Sequence, residues 1–234
     1  MESFTFSLVS FLPSLVFWAL LALAAFRYAA VIVDSRQKQE TSKRTLYTRL
    51  SSLVSIRALA RTAVWFRIAY AAALTVLQYY IWSQAPLTRL LLGTPLKPES
   101  SVGIARDLPW LFDTRIGYFL FYSWGRFWLS AILSVGVALA FWWFLRALQR
   151  HNGGFFLPGE TDIGLLTALL VGWPNVVVFL PLVFLGVVVV SLARLIVFRE
   201  RLTTLGWPLL AAAAATLIWG SRLVEFLRLT VLRV

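Results

Sequence analysis

Two aspartates, Asp34 and Asp162, lie at the edges of long apolar stretches in a chain of 234 residues. An ionised carboxylate near lipid is costly unless it faces a polar cavity or has a partner, so each is a candidate functional residue. Two carboxyls that lie close together cannot both ionise cheaply, so one holds a proton while the other activates water. If the two residues meet, their chemistry is hydrolysis without a metal or a covalent nucleophile.

A purely structural interpretation of the same two residues is also open. Asp34 could pair with Arg27 or Arg36, which lie close to it in the sequence. Asp162 could be the N-cap of a helix that begins after Gly159, since aspartate is a preferred N-cap residue. On residue type alone, this structural interpretation is the stronger of the two.

Few other residues offer catalytic chemistry. The chain has no cysteine, which excludes disulfides and Cys-ligated metals, and His151 is its one histidine. We therefore expect no metal and no cofactor, and we interpret His151 as a solvated loop residue. Most of the remaining acids, a group that includes Glu160, are expected in solvated loops or in the C-terminal tail.

The elements that must position the aspartates are membrane helices. Hydrophobic residues make up 60% of the chain, charged residues make up 14%, and the mean hydropathy is +0.79. The apolar residues come in runs, which predicts an all-α, polytopic transmembrane helical bundle. A membrane crossing needs about 20 apolar residues. Stretches with little or no charge lie at about 7–33, 62–84, 117–145, 163–193 and 203–221.

The stretch 163–193 is too long for one crossing and carries its own break. Gly172, Trp173, Pro174 and Asn175 interrupt it, and proline removes a backbone donor and disfavours helix at the preceding residue. We predict a short helix at about 162–173 and a full crossing at about 175–197, with a single kinked helix as the alternative. The count becomes about six membrane segments.

Loop charge predicts the orientation of a single integral membrane domain that comprises residues 1–234. The loop 35–61 holds seven basic residues and one acid, Glu40, so it is expected in the cytoplasm. Alternation then places 85–116 outside, and both aspartates on the cytoplasmic face. The tail 222–234 is expected in the membrane interface. The net charge of +12 is explained by orientation and by anionic lipid headgroups, so we expect no nucleic-acid partner.

Two motifs carry a resemblance to a known family. Val31 to Arg36, at the end of the first span, resembles the first motif of type IV prepilin peptidases, in which an apolar helix ends in Asp-x-Arg. The run Gly159 to Asp162 is similar to the Gly-x-Gly-Asp motif of that family, with Thr161 at the second glycine and Gly164 at the common lysine. The resemblance covers roughly residues 20–60 and 128–220.

This resemblance implies a membrane-embedded aspartyl endopeptidase of the short, peptidase-only form. Its substrates would be prepilin-like membrane proteins, from which it removes a short basic leader at the cytoplasmic face of the inner membrane. Thr161 in place of glycine is expected to distort the loop that aims the second aspartate. The catalytic pair would be Asp34 and Asp162, with Arg36, Gly159, Glu160 and Thr161 as supporting motif residues.

Two alternatives remain open. A catalytically inactive relative could serve as a membrane subunit of a pilus or secretion assembly. A small transporter would need intramembrane charge for permeation, and no acid lies in the middle of a predicted span.

Overall fold

The computed structural model describes residues 2–37, 55–95, 107, 110, 113–151, 156, 157, 159–198 and 204–229, with side chains except those of 2–10, 34–37, 194, 197 and 198. No strand occurs in these ranges. The helices are α1 (Glu2–Gln37), α2 (Ile56–Gln84), α3 (Pro86–Leu92), α4 (Gly117–Ser123), a π-helical turn (Trp124–Trp128), α5 (Leu129–His151), α6 (Glu160–Val171), α7 (Val176–Phe198) and α8 (Gly206–Phe226).

Four stretches among the described residues are long and apolar enough to cross a membrane. They are Phe11–Val33, Gly117–His151, Val176–Ala193 and Gly206–Phe226. An all-helical, multi-pass membrane protein is therefore the class of this chain, as its composition predicts.

The predicted count of six membrane segments is reproduced only in part. Helices lie at all six predicted positions, but α2 and α6 are not among the four stretches. The charged side chains of Arg57, Arg61 and Arg67 lie in the first half of α2. Helix α6 has 12 residues and is about 18 Å long, against about 30 Å of hydrocarbon. The count of six stays a prediction.

The predicted break in 163–193 is confirmed. Helix α6 ends at Val171 and α7 begins at Val176, so the alternative of a single kinked helix is wrong. Gly172 stands between them at φ 66° and ψ 175°, a backbone conformation that favours glycine. The turn is bonded on both sides: Val176 N–H donates to the Gly172 carbonyl, and Trp173 N–H donates to Ser134 Oγ at 2.8 Å.

Helix α6 is the centre of the larger of two compact units, which comprises residues 1–65 and 134–233. Helices α1, α7 and α8 pack against it. Its apolar side chains Ile163, Leu166, Leu169 and Leu170 are at most 1% exposed. A Cβ at Gly164 would lie 2.2 Å from Leu145 Cδ1, so glycine allows α5 to approach closely here. All residues of α6 except Asp162 and Leu165 are buried, so packing fixes where the first turn of this short helix lies.

The second unit lies within residues 66–133 and contains an aromatic cluster. The Trp82 ring packs against Tyr118, Phe119 and Tyr122, with centroid distances between 5.0 and 6.4 Å. Trp128 Nε1 donates to Thr75 Oγ1 at 3.2 Å and ties the π-helical turn to α2. Offset and edge-to-face ring pairs of this kind stabilise the packing.

The predicted loops and tail are described only in part. Within 35–61, residues 38–54 lie outside the described residues, and α2 begins at Ile56. The segment 85–116 contains the short helix α3. Within the tail 222–234, residues 222–226 are the end of α8, and 230–234 lie outside the described residues.

Candidate functional site

The first turn of α6 carries the second predicted motif, and its geometry begins at Gly159. Gly159 is the N-cap at φ 93°, in the left-handed region that favours glycine. Its carbonyl accepts hydrogen bonds from the N–H groups of Asp162 and Ile163, at 3.1 and 3.0 Å. The predicted use of glycine at this motif position therefore has a backbone reason.

Asp162 is the third residue of the helix and not its N-cap. The N-cap position belongs to Gly159, and no side chain caps this helix end. The structural interpretation of Asp162 as a capping residue is therefore wrong. Its carboxylate is still favoured where it lies, because the N-terminal end of a helix carries partial positive charge.

The carboxylate of Asp162 has two partners from two other helices. Arg57 Nε of α2 lies 2.9 Å from Oδ2, and Trp142 Nε1 of α5 donates to Oδ1 at 3.4 Å. The Asp162 side chain is 14% exposed, whereas that of Arg57 is 66% exposed. We call the partly buried position of this carboxylate, below the exposed side chain of Arg57, the Asp162 recess.

A second arginine lies next to this recess. The guanidinium of Arg146, one helical turn after Trp142 on α5, lies 4.5 Å from the centroid of the Trp142 ring. This cation–π contact holds the indole in the orientation that presents its N–H to Asp162. Both oxygens of Asp162 are therefore oriented by side chains from flanking helices.

Glu160 is the residue whose environment the sequence-based interpretation got wrong. Instead of a solvated loop position it has 1% exposure, and it begins α6. Its Oε1 accepts hydrogen bonds from the Tyr28 hydroxyl at 2.6 Å and from Gly206 N–H at 3.0 Å. Its Oε2 accepts one from Leu157 N–H at 3.0 Å. One buried carboxylate thereby joins α1, the segment before α6, and the start of α8.

Close packing surrounds this junction of Glu160, Tyr28, Gly206 and Leu157. Tyr28 is 1% exposed, and a Cβ at Gly206 would lie 2.1 Å from its Cζ. The Trp207 ring meets the Tyr28 ring edge-on, with a centroid distance of 5.7 Å. Only glycine leaves room for the tyrosine ring, so Gly206 is part of the junction through its missing side chain as well as its N–H.

Signals for the junction were present in the sequence but are individually weak. Glu160 is an acid in a motif next to a long apolar stretch, and Tyr28 is a polar aromatic residue inside a span. Gly206 lies near the start of the predicted stretch 203–221. Each has an ordinary explanation by itself. Only the tertiary contacts between residues 132 and 46 positions apart reveal that they act together.

Thr161 was expected to distort the backbone of the motif, and this distortion is absent. It is the second residue of α6 and has regular helical backbone, with 7% exposure. Among the described residues, the non-glycine positive φ angle occurs at Arg228 and not here. A residue other than glycine is therefore compatible with this helical turn.

The first predicted motif is placed by its backbone alone. Asp34 and Arg36 belong to the last turns of α1, and their side chains lie outside the described residues. The contact between the carboxyl groups of Asp34 and Asp162 therefore stays a prediction. The pairing of Asp34 with Arg27 or Arg36 stays one for the same reason.

The described side chains offer no cluster of metal ligands. No group of three His, Cys, Asp or Glu residues that could hold a metal ion occurs among them. His151 is exposed at the end of α5. The chemistry that the described site offers is that of an oriented, partly accessible carboxylate.

The chain was compared with protein-family models, curated proteins and solved structures, and none of them matches it.

Proposed function

We propose that this protein is a membrane-embedded aspartyl endopeptidase that resembles prepilin leader peptidases, with Asp34 and Asp162 as its catalytic pair. The observation that carries the proposal is the placement of Asp162. Its carboxylate lies at the start of an enclosed helix, is oriented by Arg57 and Trp142, and keeps 14% exposure. A carboxylate that is fixed by its neighbours and still accessible is what water activation requires.

The contact between α1 and α6 supports the choice of the second carboxyl group. Tyr28 of α1 bonds to Glu160, which lies two residues before Asp162. Asp34 follows Tyr28 by six residues in the same helix, about 9 Å along its axis. The helix that carries Asp34 is thus bonded to the helical turn that carries Asp162.

The proposed reaction is peptide hydrolysis by a shared-proton pair. The ionised carboxyl takes a proton from water as the water oxygen attacks the peptide carbonyl carbon, and the protonated carboxyl donates its proton to the carbonyl oxygen. When the C–N bond breaks, the leaving nitrogen takes a proton from one carboxyl, and a hydroxyl of the tetrahedral intermediate gives its proton to the other. The pair thereby regains its single shared proton. No covalent intermediate forms on the protein.

The site suits a substrate that is itself a membrane protein. We propose that the substrate is a prepilin-like protein whose short basic leader lies among anionic headgroups at the cytoplasmic face of the inner membrane. In this arrangement α2 and α6 complete six membrane segments, with the polar end of α6 at the headgroup level. Arg57 contacts Asp162, and Arg146 contacts Trp142 beside it. In the proposed arrangement both basic side chains are available to anionic lipid headgroups.

One observation favours a second candidate, a catalytically inactive relative that serves as a membrane subunit of a pilus or secretion assembly. The ion pair between Arg57 and Asp162, at 2.9 Å, neutralises a carboxylate that the proposed pair needs for proton exchange. If this pair never opens, Asp162 is a structural residue.

Leader removal tests the two candidates against each other. The full chain is expressed with a prepilin-like substrate, and processing is followed by the shift in substrate mass. Asp34→Asn and Asp162→Asn should each lower the processing rate by about a thousandfold or more, since each removes a general acid or base. Asp113→Asn, at an exposed position in the other unit, is the matched control and should process normally.

Two results contradict the proteolytic function. One is the absence of processing by the wild-type chain with any prepilin-like substrate. The other is processing that persists in both aspartate variants, which would assign the cleavage to another protease. Either result leaves the inactive membrane subunit as the favoured candidate.

A further inference from the structure

We propose that Glu160 is a positioning residue, which holds α1, α6 and the start of α8 in the arrangement that brings the two catalytic aspartates together. The inference rests on the proposed function, because it concerns the geometry of that same site. Glu160 is 1% exposed and does not itself reach a substrate.

Three donors from three separate segments meet at the Glu160 carboxylate. The Tyr28 hydroxyl and Gly206 N–H share Oε1, at 2.6 and 3.0 Å, and Leu157 N–H bonds to Oε2 at 3.0 Å. Only a group with acceptors on both atoms satisfies all three. A glutamine has one acceptor and one donor, so it must face at least one backbone N–H with its own N–H₂ group.

The carboxylate also performs for α8 the task that an N-cap side chain usually performs. Leu205 is the N-cap of α8 and offers no side-chain hydrogen bond. The N–H of Gly206, the first residue of α8, is instead satisfied by Glu160, the first residue of α6. The positive ends of two helices therefore converge on one negative group, which stabilises this arrangement of the two helix ends.

Two members of the junction lie close in the sequence to the two aspartates. Tyr28 precedes Asp34 by six residues on α1, and Glu160 precedes Asp162 by two residues on α6. Their hydrogen bond is thus a polar link between the elements that carry the proposed pair. A displacement of about 1 Å at a catalytic group can cost about a hundredfold in rate.

Three variants of the full chain separate positioning from general stability. Glu160→Gln keeps the size of the side chain and disrupts at least one backbone contact. Tyr28→Phe removes a single hydroxyl and leaves both backbone donors on Glu160. Thr167→Val is the matched control: it removes a buried polar group from α6 whose bonds go only to its own helix, to the Ile163 and Gly164 carbonyls.

Kinetics of leader removal provide the first measurement. Glu160→Gln should lower kcat by about a hundredfold with little change in KM, because the pair is misplaced and the substrate surface is intact. Tyr28→Phe should lower kcat by about tenfold, as expected for one lost hydrogen bond to a charged group. Thr167→Val should retain the wild-type kcat.

Distances provide a second measurement that does not depend on catalysis. Because the chain has no cysteine, spin labels can be attached at Val33→Cys on α1 and Leu148→Cys on α5, two exposed positions. Electron–electron dipolar spectroscopy should give one narrow distance for the otherwise wild-type protein and for Thr167→Val. The distribution should broaden in Tyr28→Phe and more so in Glu160→Gln.

The two measurements fail in distinguishable ways. If wild-type protein cleaves no prepilin-like substrate but the distances change as expected, the proposed function is wrong and the junction still positions α1. If Glu160→Gln keeps its kcat, or loses it while the distance stays narrow, the positioning role is wrong. If Glu160→Gln does not fold, a Tyr28→Phe protein with wild-type kcat and distance also refutes the proposal.

Discussion

Glu160 and Asp162 are two carboxylates in the same helical turn with opposite environments. Glu160 is 1% exposed and accepts three hydrogen bonds, all from uncharged donors. Asp162 has a side chain that is 14% exposed, and its partners are an arginine and an indole. The Glu160 carboxylate is buried in the bundle, whereas the Asp162 carboxylate is partly accessible to water.

The helical period explains how neighbouring acids come to differ so strongly. Residues that are two positions apart in an α-helix are separated by about 200° around its axis, so their side chains lie on nearly opposite faces. Glu160 points to α1 and α8, and Asp162 points to α2 and α5. One turn of α6 thereby supplies both the junction that fixes the helix ends and the accessible group that the proposed chemistry uses.

The largest loss of stability should come from removal of the buried Glu160 carboxylate. Glu160→Leu leaves the Tyr28 hydroxyl and the N–H groups of Leu157 and Gly206 without acceptors in a buried site. We expect the free energy of unfolding to fall by about 3–5 kcal/mol, since each buried donor without a partner costs about 1–3 kcal/mol and the effects are not additive. Denaturant unfolding in detergent, followed by circular dichroism, measures the change.

Asp162→Asn is the matched comparison for that experiment. It removes one charge from a partly exposed ion pair, so the loss should not exceed about 1 kcal/mol. Equal losses in Glu160→Leu and Asp162→Asn would show that the two acids do not differ in the way that their burial indicates.

An intermediate loss of stability should come from a side chain added at Gly206. A Cβ there would lie 2.1 Å from Tyr28 Cζ and 2.5 Å from both Cε atoms, and a buried aromatic ring cannot yield by rotation alone. Gly206→Ala should therefore displace the ring and cost about 2 kcal/mol. Gly186→Ala is the control, since its new Cβ would meet only ordinary contacts at 3.6 Å or more. A Gly206→Ala protein as stable as Gly186→Ala would place the Tyr28 ring elsewhere.

Much of the fold was predictable, because membrane helices leave strong local signals. The apolar run of the first span and the break at Gly172 and Pro174 depend on residues that are adjacent in the sequence. Helix α6 followed by α7 was predicted on this basis and is confirmed. The status of α2 was harder to predict, because arginines at its start reduce its apolar character without preventing a helix.

The site was predictable in its residues but not in its contacts. Asp162 and Gly159 stand out by residue type and motif, and the backbone of Gly159 agrees with that expectation. The partner of Asp162 could not be found in the same way, because Arg57 is 105 residues away and is one of seven basic residues in its segment. Long-range pairing depends on which helix faces pack together, and local sequence patterns carry little of that information.

The smallest loss of stability should come from substitution of Arg57. The salt dependence of this loss tests whether the Asp162 carboxylate is accessible to solvent. Arg57→Gln removes a charged partner of Asp162 whose side chain is 66% exposed. The free energy of unfolding should therefore fall by no more than about 1 kcal/mol. Because mobile ions screen exposed charges over about 10 Å at 0.1 M salt, the difference from wild type should shrink as salt is raised. Arg61→Gln, one turn further along α2, is the control for loss of a positive charge. A large, salt-independent loss in Arg57→Gln would mean that the Asp162 carboxylate is as firmly enclosed as that of Glu160, and an enclosed Asp162 would be unable to activate water.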